Sequence, residues 1–161
     1  MLNQTGIPAK EDIDAITPSL ERLAKGPVAI VECFQEIPCD PCVNACMPGA
    51  ITKPCNINDL PHVDHDKCNG CGICITQCQG LAIFVVDKSH SETHATIRLP
   101  YEFLPLPEEG RLVACLNRAG EEKGIFKVLK AAQPPAKNKT AVITIEVPQE
   151  LAMEIRSVKV S

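Results

Sequence analysis

The rhythm of apolar and polar positions changes along the chain, and each change predicts an element. Near the start, Thr17-Pro18 precedes Leu20 and Leu23, and Gly26-Pro27 follows. A Thr N-cap, Pro at the first helical position and a Gly-Pro stop predict a short helix with both leucines on one face. Val28 to Val31 is an unbroken apolar run, β-branched at both ends, and predicts a short strand. Leu81 to Val86 is a second such run. Between them, residues 33–80 show poor periodicity and frequent Gly and Pro. Such a segment builds no conventional core and has to wrap around something.

After Asp87 the texture changes again. Short β runs at Thr96–Leu99, Arg111–Leu116, Ile125–Leu129 and Ala141–Val147 predict an all-β module, a small barrel or sandwich. Arg118-Ala119-Gly120-Glu121 reads as a turn. Pro134-Pro135 with Lys137, Asn138 and Lys139 reads as a polar loop, and Pro148 to Met153 as a short helix. The expected class is α+β: a helical extension over residues 1–27, a cysteine-rich domain over 28–90 and a β module over 91–161.

Composition sharpens the middle segment. Aromatic residues make up 3% of the 161, with no Trp and one Tyr, whereas there are ten Cys. A chain so poor in large apolar side chains needs cohesion other than packing. No stretch is long and apolar enough to span a bilayer. The first ten residues lack the basic and apolar regions of a secretory signal, so a reducing cytoplasm is the expected compartment. Disulfides are rare there, which makes the cysteines metal ligands by expectation. A net charge of −4 without a basic cluster excludes nucleic acid as the expected partner.

Nine of the ten cysteines lie in residues 33–80, and they repeat. One half reads Cys39-Asp40-Pro41-Cys42-Val43-Asn44-Ala45-Cys46, followed by Ala50-Ile51. The other reads Cys68-Asn69-Gly70-Cys71-Gly72-Ile73-Cys74-Ile75-Thr76-Gln77-Cys78, followed by Ala82-Ile83. An offset of 32 residues carries Cys39, Cys42 and Cys46 onto Cys71, Cys74 and Cys78. The second half has the bacterial iron–sulfur spacing, in which the fourth cysteine ligates the other cluster. Three cysteines on a tight loop reach one cubane; the fourth is expected at the start of the helix that follows, pointing away. Gly70 and Gly72 are expected to relieve crowding and let N–H groups face sulfur.

On these residues, about 28–87 of the chain resembles the bacterial two-cluster ferredoxins. The resemblance implies a ferredoxin-like domain of pseudo-two-fold symmetry with crossed ligation of two [4Fe–4S] clusters. Cys68, Cys71, Cys74 and Cys46 would hold one; Cys39, Cys42 and Cys78 would hold three irons of the other. The family's leading cysteine of the first half falls on Glu36, so the fourth ligand lies elsewhere. Cys33 is favoured, because it ends the preceding strand close to Cys39, with Cys55 as the alternative. An open corner, giving [3Fe–4S], or a Glu36 ligand is the third option, disfavoured because carboxylate is a harder donor. Met47 and Gln79 also stand where the family has proline.

Other readings of the same residues compete. Cys39/Cys42 with Cys68/Cys71 could make a zinc ribbon, yet that strands Cys46, Cys74 and Cys78 at their ferredoxin spacing. Cys115, inside an apolar run, reads as a buried small hydrophobe. His62, His65, His90 and His94 read as solvated loop histidines.

Clusters ligated by thiolate at every corner exchange single electrons and offer no place for a substrate. No nucleophile–base pair or nucleotide loop is apparent. The segments flanking the repeat exceed what a free ferredoxin needs. The whole chain, notably Gly26 to Cys42 and Leu99-Pro100-Tyr101-Glu102-Phe103-Leu104-Pro105-Leu106-Pro107, resembles iron–sulfur subunits of FAD-dependent amino-acid or amine dehydrogenases of anaerobic bacteria. That implies a hetero-oligomer in which a flavoprotein subunit supplies the electrons. A free-standing ferredoxin and a zinc-binding structural module are the alternatives.

Overall fold

Three short helices lead into the chain's sheet: α1 (Leu2–Thr5), α2 (Lys10–Ile16) and α3 (Leu20–Lys25). The computed structural model describes residues 2–133 and 140–159; the expected polar loop at Pro134-Pro135, Lys137, Asn138 and Lys139 lies outside them. The cap of α3 is Ser19, not Thr17: its hydroxyl accepts the Arg22 N–H at 3.1 Å. Thr17 closes α2, its hydroxyl donating to the Ile13 carbonyl at 2.7 Å. The sheet takes only one of the two leucines into its core. Leu23 is 1% exposed and Leu20, at the first helical position, is 80% exposed.

The chain continues through β1 (Val28–Val31), α4 (Pro41–Ala45), β2 (Ile51–Thr52), β3 (His62–Val63), α5 (Ile73–Gln77) and β4 (Ile83–Asp87). It ends with β5 (His94–Tyr101), β6 (Leu112–Asn117), β7 (Glu122–Ala132), β8 (Ala141–Pro148), a 3-10 turn at Gln149–Leu151 and β9 (Ile155–Val158). One seven-stranded antiparallel sheet runs β1-β4-β5-β8-β7-β6-β9, and β2 pairs with β3 separately. The class is mixed α and β. The C-terminal strands do not close into a barrel, one of the two forms expected. β5 is held between β4 and β8, so β1 and β9 remain the two ends of one sheet.

Strand β5 runs on through Pro100, one residue past the expected stop at Leu99 and then Tyr101. Pro100 lies past the end of the ladder to β4 at Arg98 and stays in register with Val142 of β8. Burial alternates along β5 and β8, and Ala95, Ile97, Leu99, Ile143, Ile145 and Val147 enter the core. Strands β2, β3 and β9 carry no apolar run long enough to have announced them.

Strands β1 and β4 are buried on both faces, which is why each reads as a continuous apolar run. Val28, Ile30, Phe84 and Val86 enter the large core under the sheet. Ala29, Val31, Ile83 and Val85 face the other way, onto Ile51, Ile75 and the cysteines. The ladder fixes this division, since a one-residue slip would exchange the two faces.

The 32-residue offset recurs in the backbone. Val31 pairs with Ile83 and Ile30 with Phe84 in one ladder; Val63 pairs with Ile51 and His62 with Thr52 in the other. Adding 32 to one partner and subtracting it from the other converts the first ladder into the second. The Glu32 N–H to Ala82 carbonyl bond and the Asp64 N–H to Ala50 carbonyl bond, both 2.8 Å, obey the same exchange.

Candidate metal centre

Helices α4 and α5 carry the middle cysteines. Pro41 starts α4 with a preset φ, and Gly72 at φ +81 turns the chain into α5. Cys42 and Cys74 point inward and are buried. Cys46 and Cys78 stand at the helix ends, not at the start of a following helix as expected; the N–H of Cys78 bonds the Cys74 carbonyl at 3.1 Å. The chain then turns through a left-handed residue in both halves, Gly49 at φ +66 and Leu81 at φ +53. This brings Ala50 and Ala82 back over the sulfurs. Their N–H groups donate to Cys46 Sγ at 3.2 Å and Cys78 Sγ at 3.4 Å. The N–H of Ala29 donates to Cys68 Sγ at 3.3 Å. Hydrogen bonds of this kind stabilise sulfur as thiolate.

Burial and neighbouring thiols raise three of the cysteines. Burial first, then Cys68, Cys71 and Cys46, push the Cys74 thiol up to about 12. Burial first, then Cys78, Cys39 and Cys33, push the Cys42 thiol up. Cys33 is raised by burial and then by Cys78 and Cys39, with Lys53 opposing. Cys46, Cys68, Cys71 and Cys74 line one hollow and form one set; the thiols that act on Cys33 and Cys42 are Cys78 and Cys39, which with them form the other. Either set takes three thiols from one stretch of chain and one from the other. Cys55 is exposed, in a loop where its N–H bonds the Asp59 carboxylate at 2.6 Å. Glu36 is exposed as well.

An apolar hollow lies among the first set, walled by Ala29, Ala45, Pro48 and Ile51 beside Cys46, Cys68, Cys71 and Cys74. Four soft donors around a water-poor hollow suit an iron–sulfur cluster, on condition that each thiol gives up its proton. Among the described residues, no three His, Cys, Asp or Glu side chains gather about one ion position.

Cations hold the loops from behind. Arg22 of α3 donates to the carbonyls of His65 and Cys68, each at 2.6 Å, and of Gly26 and Pro27, each at 3.1 Å. Arg98 of β5 donates to the Cys71 carbonyl at 3.0 Å and to the Gly70 carbonyl. Lys53 serves the first half, donating to the carbonyls of Cys39 and, at 2.7 Å, Ile57. Gly70 and Gly72 do relieve crowding. A Cβ at Gly70 would stand 2.5 Å from the Pro27 carbonyl oxygen, and one at Gly72 would stand 2.9 Å from the Arg98 guanidinium. The N–H groups given to sulfur come from the alanines. Neither Arg22 nor Arg98 was legible in the sequence, because an arginine distant along the chain carries no local mark of the loop it grips.

The remaining candidates lie outside these groups. Cys115 is fully buried in the sheet core, and burial pushes its thiol up to about 12. His62 and His65 border an open polar cleft with Ser19, Arg22, Asp64 and Lys67. Burial first, then Arg22 and His62, hold His65 below the ordinary histidine range. His90 meets the Glu146 carboxylate at 2.9 Å, and the His94 ring meets the Thr93 hydroxyl.

A family model described as the 4Fe-4S binding domain matches residues 61–84. The matched stretch contains Cys68, Cys71, Cys74 and Cys78, and the half from Cys39 to Cys46 lies outside it. Comparison with curated proteins and with solved structures gives no match. Among the described residues no helix is long and apolar enough to cross a membrane.

Proposed function

We propose that the chain is the iron–sulfur electron-transfer subunit of an oxidoreductase complex, built on a ferredoxin-like domain of pseudo-two-fold symmetry at residues 28–90. Cys46, Cys68, Cys71 and Cys74 hold one [4Fe–4S] cluster; Cys33, Cys39, Cys42 and Cys78 hold the second. When bound, such clusters accept and donate single electrons. The observation that carries the reading is the hollow lined by Cys46, Cys68, Cys71 and Cys74, which gathers three thiols from one half and one from the other. The repeated ladder register and the paired alanine N–H bonds to Cys46 and Cys78 support it. Cys33 is preferred to Cys55 because Cys33 is half-buried and coupled to Cys78 and Cys39.

The chain's own residues supply thiolate donors, apolar walls that limit water, and cations behind the loops. The further reach of the proposal is a flavoprotein dehydrogenase, acting on an amino acid or amine in the cytoplasm, that passes electrons to these clusters. The family resemblance of the whole chain supports this, as does the surface of residues 91–161. There Phe103, Leu104, Leu112 and Ile125 are exposed and suited to being covered by another subunit.

Affinity purification under strict exclusion of oxygen, with iron, sulfide, zinc and flavin quantified, tests both levels. Iron with sulfide and a co-purifying flavin protein is the expected result. Iron with sulfide in a stable flavin-free monomer would leave a free ferredoxin. Zinc without sulfide would leave a structural module.

A further inference from the structure

Arg98 lies in β5, beyond the cysteine repeat and outside the matched residues 61–84. Even so, its guanidinium is seated on the second cysteine loop, bonded to the carbonyls of Gly70 and Cys71. The seat is shaped for it. Gly72 has no side chain, and a Cβ there would stand 2.9 Å from the guanidinium. Burial draws Arg98 below the ordinary arginine range; Cys71, Asp87, Cys74 and Cys68 act in the opposite direction. Three of those four groups are thiols of one set, and the fourth, Asp87, is a carboxylate on the neighbouring strand β4.

The geometry points to Arg98 as a positioning residue that sets the reduction potential of the cluster held by Cys46, Cys68, Cys71 and Cys74, without acting on its twin. This rests on the two-cluster reading above. Reduction adds one negative charge to a cluster. A half-buried cation bonded to the Gly70 and Cys71 carbonyls, against the Gly72 that lines the hollow, stabilises the reduced form more than the oxidised one, so the potential rises. Bonding to the outer carbonyls also orients the loop peptides around the sulfurs. Asp87 opposes the effect. Arg22 is a second cation on the same loop, bonded to the Cys68 carbonyl, whereas Lys53 lies on the first loop.

The test is a redox titration followed by electron paramagnetic resonance on the full chain, purified without oxygen. Arg98→Gln should keep the wild-type iron and sulfide. It should lower one of two midpoint potentials by at least about 59 mV, a tenfold change in the reduced-to-oxidised ratio for one electron. Arg98→Lys should lower it less, and Asp87→Asn should raise it. In a Cys39→Ser/Cys42→Ser background, which keeps only the second-half cluster, the fall on Arg98→Gln should persist. Unchanged potentials, equal falls in both clusters, or a fall that vanishes in that background would overturn the proposal. Should Arg98→Gln lose iron, the rise on Asp87→Asn and the smaller fall on Arg98→Lys decide in its place. A wild-type chain with one cluster whose potential still falls would uphold the arginine's role and overturn the two-cluster reading. A wild-type chain without iron and sulfide would overturn both.

Discussion

Residue by residue, the ligand question turns on where each sulfur finds its neighbours. Cys78 lies in the second motif but acts on Cys42 and Cys33. Cys78→Ser should therefore remove the iron held by Cys39 and Cys42 and leave the signal of the Cys68-Cys71-Cys74 cluster intact. Loss of the latter signal would show uncrossed ligation. Cys33→Ser should lower the iron count and Cys55→Ser should not; iron quantified in the two variants checks this. The spacing of seven of these cysteines was legible in the chain. The choice between Cys33 and Cys55 was not, because it depends on how the loop after β1 folds back toward Lys53.

Glu32, next to Cys33, shows what sequence reading missed altogether. Its carboxylate accepts Arg118 Nε at 2.9 Å and Arg118 Nη2 at 2.5 Å, and Arg156 Nε at 2.6 Å. Arg156 is 7% exposed as a residue and lies over the Phe84 ring, 4.9 Å from its centroid. Burial works to raise the Glu32 carboxyl; the hydrogen bond from Arg118 and the charge of Arg156 outweigh it and leave it below the ordinary carboxylate range. Glu32→Gln strands the buried Arg156 and the half-buried Arg118 and should cost about 3–5 kcal/mol. The sign with pH follows from the lowered value. The stabilisation is complete above the unfolded carboxyl's range and is lost as pH falls through the folded one. Denaturant midpoints of wild type and Glu32→Gln, both iron-loaded, should lie far apart at pH 7 and converge below about pH 5. A gap that stays constant would contradict this.

Among the elements, β4 carries the clearest consequence of strand alternation. Phe84 belongs to the core beneath the sheet and Ile83 to the cysteine side. Phe84→Ala should lower global stability by about 3–5 kcal/mol while the chain keeps its iron. Ile83→Ala should instead speed iron loss to a chelator. Denaturation curves and chelation rates measured on both variants separate the two faces, and identical behaviour would mean that β4 does not divide them. The apolar runs of β1 and β4 were legible because burial on both faces leaves no polar position. Helix α3 was legible in place but not in its cap. Thr17-Pro18 and Ser19 are equally good signals, and only the fold decides between them. β2 and β3 are two residues each, too short for any period to register.

Across the whole molecule, the sheet joins what composition divides. The texture changes after Asp87, yet Val85, Val86 and Asp87 pair with Arg98, Ile97 and Thr96, so the C-terminal strands extend the sheet that carries the cysteine loops. A barrel or sandwich was the natural expectation for short alternating strands, because that pattern records one buried face and says nothing of which strands are neighbours. The ladder through β5 is also what delivers Arg98 to the second loop. The repeat at an offset of 32 was the most informative feature of the chain, since it survives both as cysteine spacing and as ladder register.

The central claim is that two sets of four thiols each hold a four-iron cluster. Iron, acid-labile sulfide and zinc measured together on the full chain, isolated without oxygen, test it most directly. The account requires about eight iron and about eight sulfide per chain, as two four-iron clusters demand. Stoichiometric zinc with no sulfide, or about four iron with the set of Cys33, Cys39, Cys42 and Cys78 unmetallated, would contradict it.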